Sequence, residues 1–299
     1  MSEIPVLEAR DVRVTFEARS LKGRKHEIVA CNDVSLSLGK GEIVALVGES
    51  GSGKSTLARA LNLLQTTDSG EIRMDGHPVV SHGKDKVKPL DYYNDVQMIF
   101  QDPFGSLNTL KPIGHIIGRV LKLHGMAKTR AEVRQRTLEL LELVHLTPGE
   151  DFIDRFPTSL SGGQMQRISI ARSLAVKPKV ILADEPTSML DVSIRIGVLN
   201  LLRELRDTEG VSILYITHDI ASARYLADRM AVMYQGDLVE LGQTEQVVSD
   251  PQHDYTRTLI GAAPDPERRR KRRRRASAAE SPESPVSPGE SHSPTLMGT

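Results

Sequence analysis

Several short stretches of this chain carry side chains suited to holding and attacking a phosphate. Gly48-Glu-Ser-Gly-Ser-Gly53-Lys54-Ser55-Thr56 fits the P-loop pattern. Gly48, Gly51 and Gly53 free the backbone, with Ser50 among them, to wrap an anion with inward N–H groups. Lys54 is expected to reach the β- and γ-phosphates of a nucleotide and the Ser55 hydroxyl to bind Mg²⁺, with Thr56 completing the motif. Farther on stands an acidic pair, Asp184-Glu185. Asp184 is suited to hold Mg²⁺ through water. Glu185, one residue beyond, is suited to polarise a water beside the γ-phosphate. Taken singly, each stretch is ambiguous. A P-loop serves GTPases, kinases, helicases and transporters alike, and an acidic pair at a strand end is commonly a solvated loop. Leu160-Ser161-Gly162-Gly163-Gln164, before a helical stretch, reads in isolation as a helix start capped by Ser161.

These residues need elements that hold them at one place. Glu42-Ile-Val-Ala-Leu-Val-Gly48 is an apolar run ending in Gly, read as a buried strand, with a helix expected from Lys54 to about Leu64. Lys179–Glu185 and Val211–Thr217 read as further buried strands. Strands alternating with helical stretches predict an α/β fold with a mostly parallel sheet. Its carboxyl edge is where ligands bind. Val6–Val14 mixes apolar and charged residues like a half-buried strand. Residues 103–160 look helical. Val133, Leu138, Leu141 and Val144 recur at helical spacing, so this stretch is expected to be an inserted helical subdomain within a domain spanning 1–262. Residues 263–299 are basic, then rich in Ser and Pro, and are expected to be disordered.

The order of the motifs is more specific than any one of them. P-loop, Gln101, Leu160–Gln164, Asp184-Glu185 and His218 follow one another as in ABC ATPases, and the resemblance covers nearly all of residues 6–262. It implies a P-loop NTPase core with a parallel sheet, an N-terminal antiparallel β subdomain and an inserted helical subdomain. It also implies hydrolysis of ATP with Mg²⁺. Two such domains pair head to tail, so that Ser161, Gly162, Gly163 and Gln164 of one face the P-loop of the other, and Asp191 crosses the interface. Gln101 matches the glutamine that contacts Mg²⁺ and the attacking water, and His218 matches the histidine at the γ-phosphate. Met189 stands where the family usually has a small residue. Phe16 is the candidate for stacking on adenine, with a core or strand-edge aromatic as the alternative. It lies far upstream of the P-loop because Glu17–Glu27 looks like an insertion.

The finer resemblance is to the oligopeptide and dipeptide importer branch. It rests on the P-loop itself, on Gln101-Asp-Pro-Phe-Gly-Ser-Leu-Asn108, and on Asp250-Pro-Gln-His253-Asp254-Tyr255-Thr-Arg-Thr-Leu259. In the last, Asp254 replaces the usual Pro. Many members carry a cysteine cluster near the C-terminus. Here Cys31 is the only cysteine, so no iron–sulfur centre of that kind can form. The resemblance implies a second ATPase subunit, two integral membrane permease subunits docking near Phe104–Gly125, and an extracellular binding protein. It places the chain peripherally, at the cytoplasmic face of the plasma membrane. Peptides are the first expectation for the cargo, with sugar oligomers and then nickel as alternatives.

Other classes fit less well. No stretch approaches the roughly 20 apolar residues of a membrane span, which argues against an exporter half. Sustained heptads and cysteine spacings of DNA-repair ABC proteins are missing, and translation-associated members carry two ATPase domains where this chain has one of each motif. Loss of Glu185 or His218 would mark a non-catalytic subunit, yet both are present. The formal net charge is zero, but Arg268–Arg275 holds eight basic residues, so the rest of the chain is acidic overall. Nucleic acid is therefore not an expected partner. The basic run reads either as a solvated charge block or as a contact for anionic lipid.

Overall fold

The computed structural model describes residues 4–19, 25–80 and 89–262; the expected tail, with Arg268–Arg275, lies outside the described residues. Two long strands, β1 (Leu7–Arg19) and β2 (Lys25–Leu38), lead to the short β3 (Ile43–Val47) and then α1 (Lys54–Leu61). β4 (Ser69–Met74), β5 (His77–Val80), α2 (Pro89–Asp95) and β6 (Val96–Ile99) follow. A run of helices comes next: α3 (Pro103–Ser106), α4 (Ile113–Leu123), α5 (Arg130–Leu143), α6 (Glu150–Ile153) and α7 (Gly162–Leu174). Then come β7 (Val180–Asp184), α8 (Val192–Glu209), β8 (Ser212–Thr217), α9 (Ile220–Leu226) and β9 (Arg229–Tyr234). β10 (Asp237–Gln243), α10 (Thr244–Ser249) and α11 (Asp254–Ala262) end the described chain.

The strands form two sheets. One is antiparallel, in the order β2-β1-β4-β5. The other has six strands in the order β10-β9-β3-β8-β7-β6, parallel except for β10 at its edge. Successive residues of a strand point to opposite faces, and β3 uses both. Ile43, Ala45 and Val47 join the apolar cluster on the helical side, whereas Val44 and Leu46 join the one shared with α1 and the antiparallel sheet. β7 and β8 divide in the same way: Ile181 and Tyr215 go to one side, Leu182 and Leu214 to the other. Burial on both faces explains why these strands read as continuous apolar runs.

Register decides where the chemistry lies. β3 runs parallel to β8 with Val47 beside Thr217, and β7 to β8 with Asp184 beside Ile216. β6 lies beside β7, with Ile99 opposite Ala183. The residues just past these strand ends, Gly48, Gln101, Glu185 and His218, are thereby gathered at one carboxyl edge. α1 stops at Leu61, three residues short of the expected end. Leu63 adopts φ 55°, and the Leu64 N–H turns back to the Arg59 carbonyl, which closes the helix. In the helical run, α5 opens with a reciprocal cap: Thr129 Oγ1 accepts from the Glu132 N–H at 3.1 Å, and Glu132 Oε2 accepts from the Thr129 N–H at 3.3 Å. Among the described residues, no helix is long and apolar enough to cross a membrane.

Of the expected insertion, residues 17–19 lie in β1 and residues 25–27 in β2. The two strands stay in antiparallel register out to Arg19 opposite Lys25. Phe16 stands opposite Ile28, and both side chains are exposed, at 40% and 48%.

Candidate functional site

The P-loop is wedged between β9 and β2, and two of its glycines are there for want of space. Gly48 has φ 151°, and a Cβ on it would lie 2.2 Å from the Met233 carbonyl oxygen. Gly53 has φ 104°, and a Cβ there would lie 2.0 Å from the Ala30 carbonyl oxygen. Backbone atoms cannot step aside, and the left-handed region disfavours any side chain. Gly53→Ala is accordingly expected to cost at least about 1–3 kcal/mol and to remove nucleotide binding. Chemical denaturation and titration with a fluorescent ATP analogue measure the two effects, and unchanged values in both would contradict this packing. The turn after β9 adds a clasp, since the Gly236 N–H donates to the Ser52 carbonyl at 3.1 Å.

Gly53 is the N-cap of α1, so the loop opens directly into a helix whose first N–H groups and dipole favour an anion. Lys54, the first residue of α1, is buried, and its ammonium donates to the Gly48 carbonyl at 2.9 Å, the Glu49 carbonyl at 2.6 Å and Ser52 Oγ at 3.2 Å. Burial lowers its pKa, against the pull of Glu185, Asp184 and Glu49, which favour the charged form. Ser55 Oγ donates to Asp184 Oδ1 at 2.9 Å. Burial raises the Asp184 carboxyl, and the Ser55 hydroxyl partly offsets this. Ser50 and Gly51 are exposed, and Ser55 and Thr56 are half-buried in the first turn of α1.

Glu185 sits at the centre of the cluster. Its Oε1 meets His218 Nδ1 at 3.0 Å, and its Oε2 accepts from Gln101 Nε2 at 3.1 Å. Its backbone is left-handed, φ 46°, which is uncommon for a residue with a side chain. The turn is held from several sides: the Glu185 N–H donates to the Ile216 carbonyl, and the Ser188 N–H and hydroxyl both donate to the Glu185 carbonyl. One carboxylate is thus anchored from the ends of β6 and β8. Ser55, Gln101 and Asp184 also line a single cleft of about 460 Å³, together with Arg59, Asp102 and Arg172. Among the described residues no group of three or more His, Cys, Asp or Glu side chains is arranged to hold a metal. A hydroxyl and a carboxylate oxygen are nonetheless hard donors of the type Mg²⁺ takes, and that ion normally draws its other ligands from phosphate and water.

The remaining candidates lie elsewhere. Ser161 caps α7: its Oγ accepts from the Gln164 N–H at 3.3 Å, and Gln164 Oε1 accepts from the Ser161 N–H at 3.0 Å. Gly162 is the first residue of α7. Gly163 is buried against α8, where a Cβ would meet Ile194 Cγ2 at 2.4 Å. Among the described residues no hydrogen bond or ion pair joins this pentapeptide to the P-loop of the same chain. Asp191 is an exposed N-cap of α8 without a side-chain cap bond. Beside it Met189, Val192 and Ile196 are exposed at 57%, 73% and 51%. Phe16 lies exposed on the hairpin whose second strand passes Ala30 and Cys31 along Gly53. One neighbour of the P-loop escaped the reading of the motifs: Tyr255, whose hydroxyl accepts from the Glu49 N–H at 2.9 Å. The ending Asp250–Leu259 marked a resemblance, but its spacing carries no sign of that contact.

Comparison with known proteins agrees with this geometry. Residues 31–188 match the ABC transporter family, and residues 239–289 match the oligopeptide/dipeptide transporter C-terminal region. The oligopeptide transport ATP-binding protein OppF of Streptococcus mutans is 42% identical over 263 residues, covering 88% of this chain and 82% of the relative. The dipeptide transport ATP-binding protein DppF of Lactococcus lactis is 43% identical over 264 residues, covering 88% and 82%. Among solved structures, a dimeric ATP-binding cassette in a post-hydrolysis state, bound to ADP and Pi, superposes with a TM-score of 0.69 at 29% identity, covering 80% of this chain and 98% of that one. A P-loop opening a helix at the sheet edge, a carboxylate anchored beside it, and relatives of this extent lead to one assignment: the chain belongs to the ABC transporter family, in its oligopeptide/dipeptide branch, as an ATP-binding and ATP-hydrolysing subunit.

Proposed function

We propose that this chain energises the uptake of oligopeptides or dipeptides through separate membrane permease subunits. The observation that carries the catalytic part is the anchoring of Glu185 between Gln101 and His218, one residue after Asp184. A carboxylate so placed takes a proton from water attacking the γ-phosphate, with His218 and Gln101 orienting it. Lys54 and the N-terminus of α1 bind the β- and γ-phosphates, and Phe16 stacks on adenine. Ser55 and Asp184, with Gln101 in the same cleft, would hold Mg²⁺, which supplies charge neutralisation at the phosphates. The cargo is supported by the oligopeptide and dipeptide names of the relatives and by the match of residues 239–289.

A second ATPase subunit belongs to this reading. Among the described residues no hydrogen bond or ion pair ties Ser161–Gln164 or Asp191 to the P-loop of their own chain, and the exposed Met189, Val192 and Ile196 favour burial against a partner. We place the pentapeptide and Asp191 at the ATP of that partner. Two permeases and an extracellular binding protein complete the assembly, with this chain peripheral at the cytoplasmic face. The test is reconstitution of the chain with the paired ATPase, the permeases and the binding protein in vesicles. ATP-dependent uptake of labelled di- to pentapeptides is expected, and it should vanish with Lys54→Ala. Uptake of oligosaccharides with no peptide uptake would replace the cargo while leaving the ATPase intact.

A further inference from the structure

The last described helix, α11, reaches back to the P-loop through the phenol of Tyr255. Tyr255 lies in the first turn of α11 and is positioned from several sides. Its ring stacks on Tyr234 at the end of β9, with centroids 4.1 Å apart and planes at 27°. The segment just before it is tied to β10: Glu240 Oε1 accepts from the Gln252 N–H at 2.9 Å, and Glu240 Oε2 accepts from the His253 N–H at 3.0 Å. Burial by itself would raise the Glu240 carboxyl, yet these N–H donors bring it below the ordinary range. His253 Nδ1 in turn accepts from the Tyr255 N–H at 3.1 Å. With ring and backbone so held, the Tyr255 hydroxyl accepts from the Glu49 N–H at 2.9 Å.

The partner of that hydroxyl matters because of what lies on the other side of the same peptide unit. The peptide joining Gly48 to Glu49 is planar and trans, so its N–H and C=O point in opposite directions. An acceptor at the N–H therefore sets the direction of the carbonyl. That carbonyl, of Gly48, receives the Lys54 ammonium at 2.9 Å. The chain of contacts runs from the Tyr255 hydroxyl to the Glu49 N–H, across to the Gly48 carbonyl, and on to Lys54. Gly48 carries no Cβ, so rotation about its Cα–C bond, which turns this peptide, is only weakly restrained. Something other than local preference must hold it.

We propose that Tyr255 is a positioning residue for ATP binding: its hydroxyl locks the Gly48–Glu49 peptide so that Lys54 is aimed at the phosphates. The role rests on the P-loop reading above and adds the C-terminal segment to the nucleotide site. It also separates the two functions of the side chain. The ring holds α11 against β9, and the oxygen holds the P-loop.

Tyr255→Phe tests this in the full-length chain, because it keeps the Tyr234 stack and removes the oxygen. Loss of one neutral hydrogen bond is expected to weaken ATP binding roughly three- to tenfold, read with a fluorescent ATP analogue. The melting temperature of the nucleotide-free chain should fall by no more than about 2–4 °C, the share of one hydrogen bond in a domain of this size, since the stack and the Glu240 anchor remain. The change should appear as a raised KM for ATP with kcat little affected. Tyr255→Ala, which loses ring and oxygen, should lower both affinity and melting temperature. Wild-type ATP affinity in Tyr255→Phe would overturn the proposal. So would an affinity loss accompanied by an equal fall in nucleotide-free stability in both variants, which would make Tyr255 a purely structural contact. Failure of the wild-type chain to bind the analogue would instead count against the nucleotide reading itself.

Discussion

Replacing Glu185 with Gln is expected to reduce steady-state ATP hydrolysis by roughly 10²–10⁴-fold, the usual contribution of a positioned general base. The amide is nearly isosteric with the carboxylate, so it can keep contacts with Gln101 and His218 while losing the ability to take a proton. Folding should be unaffected, because the side chain lies at the edge of the sheet and outside both apolar clusters. ATP binding should persist and even tighten. Glu185 is a negative charge acting on Lys54, and its removal leaves the phosphate site more positive. With binding intact and cleavage blocked, ATP should hold the two ATPase subunits together. Size-exclusion chromatography with ATP is expected to show a long-lived dimer that the wild-type protein forms only transiently. Turnover near the wild-type rate in this variant would remove Glu185 from the role of base and leave the cluster without one.

The second large effect is expected from Ser161→Arg, and it should fall on the other subunit's nucleotide. Ser161 is exposed, so an arginine fits without disturbing the core. The local cost is loss of the α7 cap, about 1 kcal/mol. Across the interface the cost is larger. A bulky cation would stand where the N-terminus of α7 is proposed to approach a partner's γ-phosphate, and loss of such preorganised donors lowers rates by about 10²–10³-fold. In mixed dimers carrying one Ser161→Arg subunit, the ATP bound by the unaltered P-loop should become the slow one. The ATP held by Lys54 of the altered chain should react normally. Single-turnover hydrolysis with one P-loop disabled in each combination separates the two sites. Equal slowing at both would argue against the reciprocal arrangement.

The nucleotide cradle was readable in the sequence because its constraints are local. A glycine-rich turn between an apolar strand and a helix needs particular residues at adjacent positions, and Gly48–Thr56 supplies them in order. The buried strands could be read for the same reason, since parallel strands covered on both faces are mostly apolar: β3 is so throughout, and β7 and β8 carry polar residues only at their ends, apart from Tyr215. The end of α1 was misjudged because apolar Leu63 and Leu64 continue the pattern. Leu64 is in fact 53% exposed beyond a left-handed turn, and periodicity cannot foresee a turn made by backbone bonds to Arg59.

Residue types and their order were enough to define the P-loop, the acidic pair, the family and the α/β class. The distances that turn those residues into a site were decided only by the folded chain. Gln101, Glu185 and His218 are separated by 84 and 33 positions, and their meeting at 3.1 and 3.0 Å depends on the order β8-β7-β6 and its parallel register. Tyr255 lies 206 positions from Glu49, and its place under the P-loop depends on how α11 folds back along β9 and β10. Such contacts join segments through the packing of strands and helices between them. A chain read one window at a time contains the partners of each contact, but the pairing itself exists only after the sheet has formed.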